Sequence, residues 1–150
     1  MTPSPDAIAR QLDLARQHER EGRLGSAETA YRKVLDANPR QVDALLGSAA
    51  LALGRREWAQ AEQWLRSAHA AEPAHPDAAT RLATLLGATQ RPGEATAPLE
   101  TLLAHDEGQP VAWLLLAELR QRLNDAPGSL KASFQAISRA QGAEIGRAHV

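Results

Sequence analysis

The chain has 150 residues and no cysteine, with 17 basic against 18 acidic side chains and a formal net charge of -1. A nucleic-acid or anionic-membrane binder needs a concentrated basic excess, which this balance does not provide. The missing cysteines exclude a disulfide framework, thiolate metal sites and a catalytic thiol. Alanine (31 residues) and leucine (21) supply about a third of the chain, against 3% aromatic residues. That is a composition for helices and leaves too few β-branched and aromatic residues for a sheet.

The opening Met1–Asp6 carries neither a basic n-region nor an apolar h-region. The longest uncharged apolar stretch, Val111–Ala117, is far too short to span a bilayer. A cytoplasmic protein without membrane or nucleic-acid contact is therefore expected. Residues 1–7 read as a tail. From residue 8 onward small residues recur at one spacing: Ala15, Ala49, Ala83 and Ala117 stand 34 apart without an insertion. Ala27, Ala61, Ala95 and Ser129 follow at the same interval, then Val34, Ala68, Leu102 and Ala136. Pro39 and Pro73 close the first two units. The units are 8–41, 42–75, 76–109 and 110–143.

Each unit reads as two helices and a turn. Leu45, Ala49 and Ala52 share one helical face, as do Ala61, Leu65 and Ala68. Turn chemistry separates the helices at Glu21-Gly22, Gly54-Arg55-Arg56, Gln90-Arg91-Pro92-Gly93 and Asn124-Asp125. Antiparallel helices approach closely only where neither carries bulk at the crossing, which is the work of the spaced alanines. Tyr31, Leu65, Leu99 and Trp113 then fill the space between successive hairpins. Pro98 falls inside a second helix, where loss of a backbone donor predicts a kink or a frayed first turn.

This period and pattern resemble the tetratricopeptide repeat. Trp113-Leu114-Leu115-Leu116-Ala117 matches the first half of that family's pattern, and Ala27 to Tyr31 through Asn38-Pro39 the second half. Four departures stand out: Gln11 for a large apolar residue, Ser48 for leucine, Ser133 for an aromatic and Glu107 for the closing proline. The resemblance implies an all-α fold, a right-handed solenoid of four helix-turn-helix repeats acting as a protein-interaction module. Its concave groove would be lined by the first helix of each unit and hold a peptide or helix of a protein partner. The first unit would contribute Leu12, Asp13, Arg16 and Arg20, and the second Asp43, Leu46, Ala50 and Leu53. The third would add Asp77, Thr80, Arg81 and Thr84, and the fourth Val111, Leu114, Leu115, Glu118 and Arg122. The carboxylate clamp of chaperone-binding members is absent: the corresponding places hold Leu12, Arg16, Gly47, Asp77 and Arg81, and only Arg81 fits.

Chemistry beyond binding finds no foothold. His18, His69, His75 and His105 form no i, i+4 metal pair and no HExxH. Carboxylates such as Glu19 and Glu21 lie on charged helical faces, and neither a phosphate loop nor a GxSxG elbow occurs. No catalytic residue, metal or cofactor is expected. A rival comes from a fainter resemblance: Ala136–Gly142 after Trp113–Ala117 is similar to the last repeat of bacterial aspartyl/asparaginyl β-hydroxylase-type proteins. That would make the chain the amino-terminal extension of a truncated enzyme using non-haem iron and 2-oxoglutarate.

The last seven residues, Glu144–Val150, leave the pattern. Read back as codons, GAG ATC GGA AGA GCA CAC GTC, they match a common short-read sequencing adapter, so 144–150 is expected to be a non-native tail. A repeat stack normally ends in a polar-faced capping helix. Here Leu130, Phe134 and Ile137 form an apolar stripe with no such cover. Fraying over 124–143, or self-association through this helix, is the expected consequence.

Overall fold

Runs of alanine and leucine become helices, separated by three residues within a hairpin and by four between hairpins. The computed structural model describes residues 2–148. In chain order the helices are α1 (Pro5–Arg20), α2 (Leu24–Ala37), α3 (Val42–Gly54) and α4 (Trp58–Ala71). They continue as α5 (Pro76–Ala88), α6 (Pro92–His105), α7 (Pro110–Arg122) and α8 (Ala126–Ala148). No strand occurs among the described residues, as the composition requires. The chain divides between Glu72 and Pro73 into two compact units. In the first, α1 pairs with α2 and α3 with α4, and α3 stacks on α2. In the second, α5 pairs with α6 and α7 with α8, α7 stacks on α6, and α5 touches α7.

The four hairpin turns are built alike. Residues 22, 56, 90 and 124, again 34 apart, all have positive φ. They are Gly22, Arg56, Gln90 and Asn124. In each turn the next residue donates its N–H five residues back: Arg23 to His18, Glu57 to Ala52, Arg91 to Leu86, and Asp125 to Arg120, at 2.8–2.9 Å. This is the left-handed helix ending that satisfies orphan carbonyls. Only the first turn uses glycine, so the other three hold side chains where glycine would fit at least cost.

Helix starts use different chemistry. Ser4 Oγ accepts from the Ala7 N–H at 3.2 Å, Gln41 Oε1 from Ala44 at 3.1 Å, and His75 Nδ1 from Ala78 at 3.3 Å. The first of these corrects the sequence reading. Residues 5–7 are not tail but the first turn of α1, with Pro5 at the helical position that needs no N–H. Pro98 lies buried inside α6, which is helical from Pro92 to His105, so the expected fraying of its first turn does not occur. The burial of Leu99, Leu102 and Leu103 around it holds the helix without the missing donor. The carboxyl end is helical as well. Residues 144–148 extend α8 to 23 residues. Gly146 costs about 1 kcal/mol relative to alanine, yet extending an existing helix needs no new nucleus. His149 and Val150 lie outside the described residues.

The spaced small residues do what the periodicity predicts. Ala15, Ala49, Ala83, Ala27, Ala61 and Ala95 have no exposed surface, and Tyr31, Leu65 and Leu99 are buried beside them. Glu107, in place of a closing proline, is held instead by contacts. Its carbonyl accepts from Trp113 Nε1 at 2.9 Å, and its carboxylate from Arg139 at 3.0 Å. The Gln109 amide and the Gly108 N–H, both donating to Asp106, set the rest of that loop and pull the Asp106 carboxyl below the usual carboxylate range.

Tyr31 makes the first unit pH-sensitive. Burial, then the charge of Glu19 that accepts its hydroxyl at 3.0 Å, pushes its pKa from 10.0 up to about 12. A raised folded-state pKa leaves stability intact below pH 10, where both states keep the proton. Between about 10 and 12 only the unfolded state ionises, so stability falls as pH rises. Chemical denaturation followed across that window should show this decline, and Tyr31→Phe should remove its share. An identical slope in the variant would exclude Tyr31 as the source.

Candidate functional site

The exposed faces of the first helices carry the predicted groove residues, and the structure sorts them into three groups. Leu12 and Leu46 are 6% and 7% exposed. They belong to the core more than to a groove floor, which corrects the sequence reading. Arg16 lies 3.7 Å from both Asp13 and Asp43, so its guanidinium closes an ion-pair link from α1 to α3. A ligand carboxylate would compete with both of these acids for it. A depression of about 530 Å³ lies beside this link, lined by Ile8, Leu12, Asp13, Arg16, Gln41 and Asp43 among others. Two acids against one arginine leave it acidic. Arg20 and Ala50 are exposed and Leu53 is half-buried.

In the second unit Arg122 is also engaged, donating to the Gly87 carbonyl at 2.9 Å near the end of α5. A Cβ on Gly87 would stand 3.2 Å from both Arg122 Nη1 and Leu119 Cδ2, so glycine makes room for this contact. Thr80 and Thr84 turn their hydroxyls onto their own helix, donating to Pro76 O at 2.8 Å and Thr80 O at 2.7 Å. Their lone pairs remain for a ligand donor, but their protons are used. Asp77, Arg81 and Glu118 are exposed, and Leu115 is half-buried. Among the described residues no carboxylate pairs with Arg81. Val111 and Leu114 are 69% and 62% exposed. Since 77, 80, 81 and 84 correspond to 111, 114, 115 and 118 in the 34-residue register, these side chains occupy equivalent places on α5 and α7.

The histidines have local roles. His75 caps α5, and His105 Nδ1 contacts Thr101 O at 2.8 Å. Burial lowers the pKa of His69, favouring its neutral form. Among the described residues no group of three or more His, Asp or Glu could hold a metal ion, and no helix is long and apolar enough to cross a membrane. One concavity escaped the sequence reading. About 360 Å³ opens between α2, α3 and α4, lined by Leu35, Leu51, Trp64 and the Glu28–Arg55 pair at 2.8 Å. The half-buried Trp64 on a second helix was its only signal in the sequence.

A sequence profile of the Tetratricopeptide repeat family matches residues 18–80 and 52–119. The chain belongs to the tetratricopeptide repeat family. Proteins with this repeat generally serve as protein-interaction scaffolds, and eight helices of this kind lie among the described residues. The crystal structure of MamA superposes with a TM-score of 0.79 at 15% identity, over 94% of this chain and 82% of that one. A second MamA structure gives 0.77 at 19%, over 93% and 76%. PilF of Pseudomonas aeruginosa gives 0.74 at 19%, over 88% of this chain and 60% of PilF. At these identities the likeness concerns the repeat fold alone. No curated protein matches the chain by sequence.

Proposed function

We propose that the first-helix face of the second unit binds an extended peptide or an amphipathic helix of a protein partner. The observation behind this reading is the combination, on equivalent positions of α5 and α7, of an unpaired arginine with two exposed apolar side chains. Val111 and Leu114 offer area to an apolar ligand residue. Arg81 offers a planar fork for a carboxylate. Asp77 and Glu118 border the face and oppose a wholly acidic ligand, so the best match is an apolar residue flanked by a single acid. The face of the first unit takes a different ligand charge, because Arg16 is already compensated by Asp13 and Asp43.

Peptides enriched from a display library against the full chain, then titrated by calorimetry, test this. Arg81→Ala should weaken binding by about tenfold and reduce its salt dependence. Leu114→Ser should weaken it by a similar factor at every salt concentration. Both side chains are exposed, so neither change should move the melting curve. Enriched peptides that bind both variants as tightly as the parent would shift the site away from this face.

A further inference from the structure

The second hairpin departs from the repeat where α3 stacks on α2. Ser48 stands where the register places Leu14, Leu82 and Leu116, and Ala52 where it places Leu86 in α5. Leu82, Leu86 and Leu116 are 2%, 0% and 1% exposed. Shortening two such positions at once leaves a hollow where leucine would supply packing atoms. On α4 the hollow is walled by Trp64, whose register places hold Ala30, Pro98 and Ala132. The indole does not refill the space. About 360 Å³ stays open over an apolar floor of Leu35, Leu51 and Ala52, the size of a small ligand site. Its lining falls wholly within residues 28–64, so neither end of the chain bounds it.

Charge decides what the hollow takes. Its lining has three acids, Glu28, Asp36 and Glu57, against Arg32 and Arg55, a balance of one negative charge. Both α2 and α4 run antiparallel to α3, so their side chains line the hollow in the same order. At one end Arg55 donates to Glu28 at 2.8 Å, with Glu57 near enough to favour its charge. In the middle Arg32 reaches the same Glu28 at 3.1 Å. At the other end, beside Trp64, Asp36 has no basic partner among the described residues. The Trp64 indole N–H likewise has no acceptor among them.

We propose that this hollow takes a long basic side chain, lysine or arginine, from a partner protein. Its apolar stem would lie over Leu35 and Leu51, as such stems do on apolar surface. Its cation would sit between the unpaired Asp36 and the Trp64 ring, attracted by the charge of one and the electron-rich face of the other. The free indole N–H suits a carbonyl of the same peptide, which a free amine would not supply. This site belongs to the first unit, and it stands or falls independently of the peptide-binding face on α5 and α7.

The nitrogen-15-labelled full chain, titrated with the capped pentapeptide AAKAA and its norleucine counterpart, tests this by nuclear magnetic resonance. The Trp64 indole N–H resonance, identified by its loss in Trp64→Phe, should shift and saturate at millimolar lysine peptide. Norleucine matches the stem without the charge and should bind about fivefold more weakly. Asp36→Asn should weaken the lysine peptide about three- to fivefold and reduce its salt dependence. That side chain is exposed, so the melting curve should not move. Ser48→Leu restores the residue of the other hairpins; the variant should fold and show no shift. An unmoved Trp64 resonance, or equal affinity for the two peptides, would overturn the proposal, as would binding retained in Ser48→Leu. Pentylamine binding as tightly as the lysine peptide would overturn the assignment to a protein side chain, since it carries the ammonium without a backbone.

Discussion

Leu99→Ala is expected to lower stability by about 2–5 kcal/mol, the range for truncating a fully buried leucine. Leu99 has no exposed surface and lies on α6 between its hairpin partner α5 and the stacked α7. The same register position holds Tyr31 and Leu65 in the first two hairpins, both buried. In the last it holds the half-buried Ser133. The second unit therefore depends on Leu99 for both of its helix layers, with no large residue at the matching place in α8 to share the load. Calorimetry should show a melting point lowered by roughly 4–20 °C. Hydrogen exchange should rise across residues 73–148 first, because repeat stacks lose stability locally. A loss below about 1 kcal/mol would mean that neighbouring side chains collapse into the space.

Gly47→Ala carries the second large effect, and its sign is the informative part. In an unconstrained helix, alanine is more stable than glycine by about 0.5–1 kcal/mol. Here a Cβ on Gly47 would fall among the ring atoms of Tyr31. The ring cannot move aside, being 2% exposed and tethered through its hydroxyl to Glu19. Overpacking of this kind costs about 1–3 kcal/mol and should outweigh the propensity gain. Tyr31→Leu combined with Gly47→Ala places leucine where the second and third hairpins already have it, and should recover part of the loss. A melting point raised by Gly47→Ala alone would show that Tyr31 does not pack over this glycine.

The period, the helices, the turns and the alanine crossings are all legible in the amino-acid order. These rest on local propensity and on a spacing that repeats four times, and both are visible in one dimension. The ends of the helices are less legible there. Ser4 capping Ala7 makes a helix of residues read as tail, and propagation carries α8 through Gly146, because helix ends depend on single caps more than on periodicity. The use of each exposed side chain was decided only by tertiary structure. Arg16, Arg81 and Arg122 all fall on the first helices of their units and look alike in the sequence. One is caught by Asp43, one faces solvent and one is tied to the Gly87 carbonyl. Leu12, Leu46 and Leu114 share a register position, yet the first two are buried and the third is open. An arginine's charge is available only if no acceptor reaches it, and a leucine's surface only if no helix lies over it. Both conditions are set by residues about 30 positions away, brought near by the stacking of hairpins.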